Sequence, residues 1–543
     1  MTDEFTPAER AALAPYFTNL DGPVFALVNL PEVVKGALFA RYSRSPKSLR
    51  RLFLDEFLTA GGLEAASAKG ARGLDAAATR RAEQLYERVF FEYGDDSVAQ
   101  LGGVHLACEG ASNLLTKILE WGRLMAYLEQ STRYIPYDDR PGGRYRYHIP
   151  DELQGPLRAR YVATLDRGFD AYREWLPRMR AFFEAKYPRD PAESETVYRM
   201  TIRAKALDTL RGMLPAATVS NVGIYATGQA YEQLLLRMRT HPLAEARAYA
   251  DLMLGELRRV IPAFLKRVDL PERGGAWSEY LAETRAATKD AATRLLESEA
   301  ARALSLGRAP AGDEPEVTLT DFDPDGEAKV VAAALYAVSD RPDRELLTLA
   351  RQMTPEERTA VLAAYVGKRR NRRHKPGRAF ERTSYRFDIL GDYGAFRDLQ
   401  RHRLLTLEWQ RLSPRHGWVM PETICEAGAE ADFTRVLAES AELHDAIAAA
   451  GLPDVASYAV SMAYRVRFYM DMNAREAMHV IELRTTPQGH PSYRRICQAM
   501  HRLIAERAGH RAIAAAMTFA DHSAVELERL EAERAAERRR AGS

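Results

Sequence analysis

Arg401-His402-Arg403 sets two guanidinium forks around an imidazole, just ahead of an apolar run at Leu404, Leu405 and Leu407. A guanidinium is charged at any working pH and offers a planar array of donors. It suits phosphate or the carbonyl edge of a pyrimidine. The triplet therefore reads as an anion-gripping element. Its competing reading is a solvated helix face, since surface charge is ordinary. A distant segment, Glu129-Gln130-Ser131-Thr132-Arg133-Tyr134, offers a carboxylate, a hydroxyl and a further guanidinium at close spacing. Here too a plain reading stands beside the chemical one: Glu129 and Arg133 are i, i+4, the spacing of a helix ion pair worth roughly 0.2–0.5 kcal/mol. Trp121, Tyr134 and Trp409 read as core aromatics. The basic run Lys368 to Arg378, with His374 inside it, reads as a solvated loop or a patch that meets phosphate.

The elements that must position these residues are mostly helical. Val24 to Leu30 has strand character, and Pro31 then opens a helix to about Tyr42. Residues 46–60 and 74–93 are amphipathic helices around a small-residue linker, 65–73. From Ser97 to about Arg133 the apolar spacing predicts one long helix, followed by a Pro/Gly/Tyr/Arg-rich loop to Pro150. Helices are expected over 151–186 and 194–213, a strand over 215–226, and helices over 228–239 and 243–267. Residues 271–315 carry no sustained core pattern beyond a possible surface helix and read as a linker. Residues 526–543 form a charged tail.

The 543-residue chain has room for two cores, and 77 basic against 75 acidic residues give a formal charge of +2. No global field draws it to nucleic acid or membrane, and no apolar run reaches about 18 residues. Cys108, Cys425 and Cys497 form an odd count with no C-x-x-C, which argues for a reducing, cytoplasmic setting and against a zinc site. There is no dinucleotide fingerprint, P-loop, H-E-x-x-H or G-x-S-x-G, so no metal is expected. A nucleotide or flavin would have to be held by arginines and helix ends.

The order of elements restarts after the linker. Val317-Thr-Leu-Thr-Asp-Phe echoes the strand and helix at the start, and Leu236-Arg-Met-Arg-Thr-His-Pro242 is echoed by Ile481-Glu-Leu-Arg-Thr-Thr-Pro487. An internal duplication follows, with one repeat in 1–270 and another in 316–525.

Arg401-His-Arg followed by Glu408, Ser413 and Arg415 resembles the flavin-dependent thymidylate synthase signature R-H-R-x-x-S-x-N-E-x-S-x-R-Y. The second half keeps its start. The first half has Trp121-Gly122-Arg123 there, but keeps E-x-S-x-R-Y as Glu129 to Tyr134, with Leu128 in place of Asn. Gly94-Asp95-Asp96-Ser97 stands where the family has G-H-x-S. Asn473-Ala-Arg475-x-x-x-His479 with Leu483-Arg484 is similar to the family's flavin-facing helix. The first half has Gly228, Ala230 and Leu234 there and keeps only Arg239. Conversely, Arg211-Gly-Met-Leu-Pro215 matches R-x-x-L-P, and the second half has Ser457 near that place.

The resemblance implies an α+β, predominantly helical fold, duplicated as a pseudo-dimer. Each half has lost what the other retains, so one composite site survives. It also implies FAD as cofactor, dUMP as substrate, and methylenetetrahydrofolate and NADPH as co-substrates. Arg133, Arg211, Arg401 and Arg484 would clamp the nucleotide phosphate and polarise the pyrimidine, with Glu129, Gln130, Ser131 and Asp398 in the same substrate-binding set. Arg401, His402, Arg403, Asn473, Arg475 and His479 would hold FAD. A symmetric family tetramer corresponds to a homodimer of this chain, with no nucleic-acid or membrane partner. Two readings compete with an active synthase: a degenerate homologue that binds flavin and nucleotide without methylating, and a nucleic-acid binder using the basic run.

Overall fold

A computed structural model describes residues 5–58 apart from 24, 43, 44 and 46, and then 100–191, 194–299 and 314–524. The expected helix at 74–93, the linker 65–73, Gly94 to Ser97 and the tail 526–543 lie outside the described residues.

The chain runs twice through one α+β topology. In the first copy, strand β1 (Gly103–Ser112) leads into the short helix Asn113–Leu119, whose first turn is capped by the Ser112 hydroxyl accepting from Leu115 N–H. A turn at 120–124 leads to β2 (Met125–Glu129). The long helix Gly155–Lys186 and helix Glu195–Leu210 follow, then β3 (Val219–Thr227) and helix Gly228–Arg239. The second copy opens with strand β4 (Val317–Phe322) and three helices. It then repeats the plan. Strand β5 (Ser384–Asp392) feeds helix Tyr393–Leu399, capped by Asp392 on Ala395 N–H. After a turn come β6 (Thr406–Trp409), helix Glu430–Ala449, β7 (Arg465–Asn473) and helix Ala474–Arg484. The sheet orders agree: β1-β3-β2 in one and β5-β7-β6, extended by β4, in the other.

Two departures from the sequence reading matter. The long helix expected over 97–133 is, in its described part, a strand, a seven-residue helix and a second strand. Burial alternates along β1 and β2, so the period was two where apolar content suggested 3.6. Glu129 thus ends a strand, opposite Val222 on β3, and the helix ion-pair reading of Glu129 and Arg133 falls. The start at Val24 to Leu30 is no strand among its described residues; Leu27 makes only an isolated bridge to Phe17. In the linker, helix Ala276–Leu296 buries no residue.

The chain forms two compact units, and they do not follow the 271–315 boundary. One holds Met1–Glu109, Leu124–Glu129 and Asn221–Leu304; the other holds Gly110–Arg123, Gln130–Ser220 and Ser305–Ser543. The larger unit therefore contains parts of both copies. Its core is the second sheet, with Phe387, Ile389, Phe468 and Met470 buried beside Phe396. Within it, matching segments of the two copies meet about a local two-fold. Ala216 N–H donates to Val460 O while Met462 N–H donates to Leu214 O; Ala217 N–H donates to Tyr458 O while Ala463 N–H donates to Gly212 O. Each bond has its mate at a constant offset of 246 residues, as in an isologous contact.

Candidate functional site

Beside this two-fold axis lies a chain of ion pairs whose middle members, Asp208, Arg211 and Asp398, are buried. Arg133 Nη2 is 2.7 Å from Asp208 Oδ2, Arg211 Nη1 is 3.3 Å from Asp208 Oδ1 and 3.6 Å from Asp398 Oδ2, and Arg401 Nη1 is 3.5 Å from Asp398 Oδ1. The local folding explains the placement. Asp208 and Arg211 are i, i+3 across the end of helix Glu195–Leu210, and Asp398 and Arg401 are i, i+3 across the end of helix Tyr393–Leu399. Ser131 Oγ accepts the Arg133 N–H and shapes the turn that presents Arg133. Gly394 lets Arg211 pass: a Cβ there would lie 3.0 Å from Arg211 Nε and Nη2 and 2.9 Å from Asp392 Oδ1.

Burial acts to raise Asp398, yet Arg401, Arg211, Arg484 and Arg133 hold its carboxyl well below the usual range. Asp208 is likewise lowered, against its burial, by Arg133, His490 and Arg211. Burial acts to lower Arg133, but Asp208, Tyr493 and Asp398 raise it, so it is firmly charged. Burial, and then Arg211, push His490 down to about 4, so its ring is neutral. Four guanidiniums, those of Arg401, Arg211, Arg484 and Arg133, act on Asp398, and Arg133 and Arg211 act on Asp208 as well. Among the described residues Arg211 Nη2 and Arg133 Nε, both buried atoms, have no hydrogen-bond partner. Unanswered charged donors cost at least about 1–3 kcal/mol each, and an anion with acceptor oxygens answers both deficits.

The Arg401–Arg403 turn is no helix face. It follows the helix ending at Leu399, and His402 is buried within it. Arg484, the last residue of its helix, donates from Nε to His402 Nε2 at 2.9 Å and lies over the Tyr493 ring at 5.5 Å. The His479 ring meets that of His402 edge-on at 5.4 Å. Burial, then Arg484 and other cations, depress His402; burial, then Lys375 and Arg372, take His479 to about 4. The basic run is held in place here. Arg369 is buried on Glu482 at 2.5 and 2.6 Å and donates to His374 O, while Arg475 Nε donates to Pro376 O.

Arg133, Arg211, Asp398, Arg401, His402 and Arg484 are thus brought together in one unit, with His479 against His402. Other expected residues make contacts to neighbouring elements. Gln130 accepts the Ser220 hydroxyl through its carbonyl, Asn473 caps its helix by accepting Glu476 N–H, and Arg475 also faces Glu381 at 3.5 Å. Glu129 is buried at the end of β2, and Arg403 is half-buried. The caps Thr227 and Asn473 revise the register of the first copy: Thr227, Gln229 and Gln233 stand opposite Asn473, Arg475 and His479, not Gly228, Ala230 and Leu234. Sequence reasoning missed Asp208, His490 and Glu476. The i, i+3 spacing to Arg211 was the available signal for Asp208; nothing local marked the other two.

A cavity of about 500 Å³ opens on the same cluster, with Asp208, Arg211 and His490 in its wall. Among the described residues one group has metal-like spacing: His402, Glu476 and His479 place ligand atoms within 4.8 Å of one another. Arg484 argues against a cation there. His402 Nε2 can accept its N–H only with the ring proton on Nδ1, and Nδ1 is the atom that faces Glu476. No helix among the described residues is long and apolar enough to cross a membrane.

Comparison with known proteins matches the family model for thymidylate synthase complementing protein twice, over residues 55–263 and 318–508. A UPF0159 protein of Chlamydia muridarum (strain MoPn / Nigg) is 38% identical over 98% of this chain and 98% of its own length. A UPF0159 protein of Thermoplasma acidophilum is 28% identical over 92% of this chain and 97% of its own. A flavin-dependent thymidylate synthase of Mycobacterium sp. (strain JLS) is 29% identical over 33% of this chain and 67% of its own. The doubled length is shared with the first two, and the synthase matches one third of it.

Proposed function

The chain belongs to the thymidylate synthase complementing protein family, in internally duplicated form, and from that premise we propose that it reductively methylates dUMP to dTMP at one composite site. The observation that carries this reading is the chain of ion pairs Arg133–Asp208–Arg211–Asp398–Arg401, buried at its centre, with Arg484 beside it. Its guanidiniums are the donors that suit the dianion of a nucleoside monophosphate. Its unpartnered Arg211 Nη2 is a preorganised donor for charge that develops on a pyrimidine carbonyl. Asp208 and Asp398 hold the guanidiniums in place, so little reorganisation accompanies binding.

The donor set around His402 and His479 fits an anionic cofactor such as FAD. Lys375, Arg372, Arg475 and Arg484 crowd two neutral imidazoles, a field that an anionic pyrophosphate would relieve. His402, Arg403, Arg475 and His479 would hold the group. When bound, FAD would supply the reducing equivalents, with methylenetetrahydrofolate as carbon donor and NADPH as reductant. We propose a homodimer as the assembly, by analogy with a tetramer of single-copy subunits.

Tritium release from [5-³H]dUMP, dependent on NADPH and methylenetetrahydrofolate, is the expected result. A yellow, flavin-bearing protein that binds dUMP but releases no tritium would replace this reading with a binding-only homologue. One observation favours that second reading: Arg475 is engaged by Pro376 O and Glu381.

A further inference from the structure

We propose that Glu476 is a positioning residue of the nucleotide site: it accepts a hydrogen bond from His402 Nδ1–H, which keeps His402 Nε2 as an acceptor and so fixes the direction of Arg484. The donor at Nε2 is Arg484 Nε, 2.9 Å away. A neutral imidazole that accepts at Nε2 carries its proton on Nδ1. The carboxylate at Nδ1 is Glu476, with Oε1 at 3.6 Å, and closing that gap takes only a few tenths of an ångström. Glu476 is placed there by its own helix. It is the third residue after the Asn473 cap, whose side chain accepts the Glu476 N–H at 2.9 Å.

The setting fits a relay better than an ordinary ion pair. Glu476 and His402 are both buried, and among the described residues His402 is the one ion-pair partner of Glu476. A carboxyl that is buried without a cation in contact is costly. It is tolerated here beside an imidazole that needs an acceptor. The groups facing the pair are Lys375 and Arg372 from the loop before β5, Asp398 from helix Tyr393–Leu399, and Arg475, His479 and Arg484 from helix Ala474–Arg484. Burial pushes the Glu476 carboxyl up to about 7, against Lys375 and Arg475. The acceptor therefore strengthens as pH rises through neutrality, when it becomes charged. Arg484 in turn lies on Tyr493 and acts on Asp398, so its direction bears on the phosphate cluster.

This inference rests on the nucleotide reading for its ligand, but the tautomer of His402 does not. The test uses the full chain with ¹⁵N-labelled histidine, His402 being assigned by its loss in His402→Gln. Two-bond ¹H–¹⁵N spectra at pH 8 should show His402 protonated on Nδ1. Glu476→Leu, its fold checked by circular dichroism, should move that proton towards Nε2 and weaken dUMP binding about tenfold. Glu476→Gln retains an acceptor oxygen. It should keep the Nδ1 tautomer, hold dUMP affinity within about threefold, and lose the affinity gain that wild type shows between pH 6 and 8 beyond the ionisation of dUMP itself. An unchanged tautomer and affinity in Glu476→Leu would overturn the relay. So would stoichiometric binding of Zn²⁺ to chelator-treated protein with displacement of the Nδ1 proton. If wild type binds no dUMP while the tautomer still follows Glu476, the nucleotide reading fails and the relay stands.

Discussion

The turn at Arg401–Arg403 and its counterpart at Trp121–Arg123 occupy the same place in the two copies, 280 residues apart. Each follows a capped seven-residue helix and precedes a short strand. One presents charge to Asp398 and a buried imidazole to Arg484. The other is filled by its own packing. Trp121 Nε1 donates to Leu407 O, its ring meets Trp409 at 5.6 Å, and Arg123 donates to the Thr406 hydroxyl. A second asymmetry lies upstream. The first copy carries helix Glu195–Leu210, with Asp208 near its end, ahead of the R-x-x-L-P turn. The second runs from its helix ending at Ala449 to the turn at Val455 with no helix between. Duplication relaxes a two-fold site: once two copies share a chain, one copy can keep the carboxylate while the other spends the position on packing.

The sharpest way to break this contrast is Arg211→Ala. It leaves Asp208 and Asp398 short of a buried partner, and turnover should fall at least about 100-fold while circular dichroism still reports a folded chain. Unchanged tritium release would remove Arg211 from the site. Trp121→Ala should do the reverse, lowering stability by about 2 kcal/mol through lost ring contact and hydrogen bond with dUMP affinity intact. Loss of affinity instead would mean the faded turn still binds. Arg401→Ala should weaken dUMP about tenfold, and Arg123→Ala less than about twofold, as removal of one charged hydrogen bond predicts. Equal effects would deny that the site is single.

The smallest effects concern pH and have opposite signs. The folded pKa of Asp398 is depressed, so its stabilisation is present above the unfolded value near 3.8 and is lost as pH falls below it. The folded pKa of Glu476 is raised from 4.5 to about 7, so its contribution is present below 4.5 and is lost as pH rises through 7. Denaturant midpoints for Asp398→Asn should therefore diverge from wild type above pH 4 and converge below it. Those for Glu476→Gln should gain on wild type from pH 4.5 to 7. A shared slope would show that the two carboxyls do not differ as their surroundings require.

Much of the arginine cluster was readable because guanidinium spacing in short blocks survives as a local pattern. The strands at Gly103–Ser112 and Met125–Glu129 were not, because many apolar residues in one run hid an alternation of period two. Asp208 was legible only after Arg211 had been chosen. Glu476 looked like any charged residue in the first turn of a helix, where acidic side chains are favoured anyway.

By itself the sequence determined the duplication, the α+β class and most arginines of the cluster, though not that Met238, and not Arg239, stands opposite Arg484; the rest are properties of order and local spacing. Tertiary structure decided that the residues meet in one unit, that Asp208 and Asp398 space the guanidiniums, and that His402 lies between Arg484 and Glu476. Those relations join positions far apart in the chain, and no short-range pattern encodes a distance that only packing about the local two-fold sets.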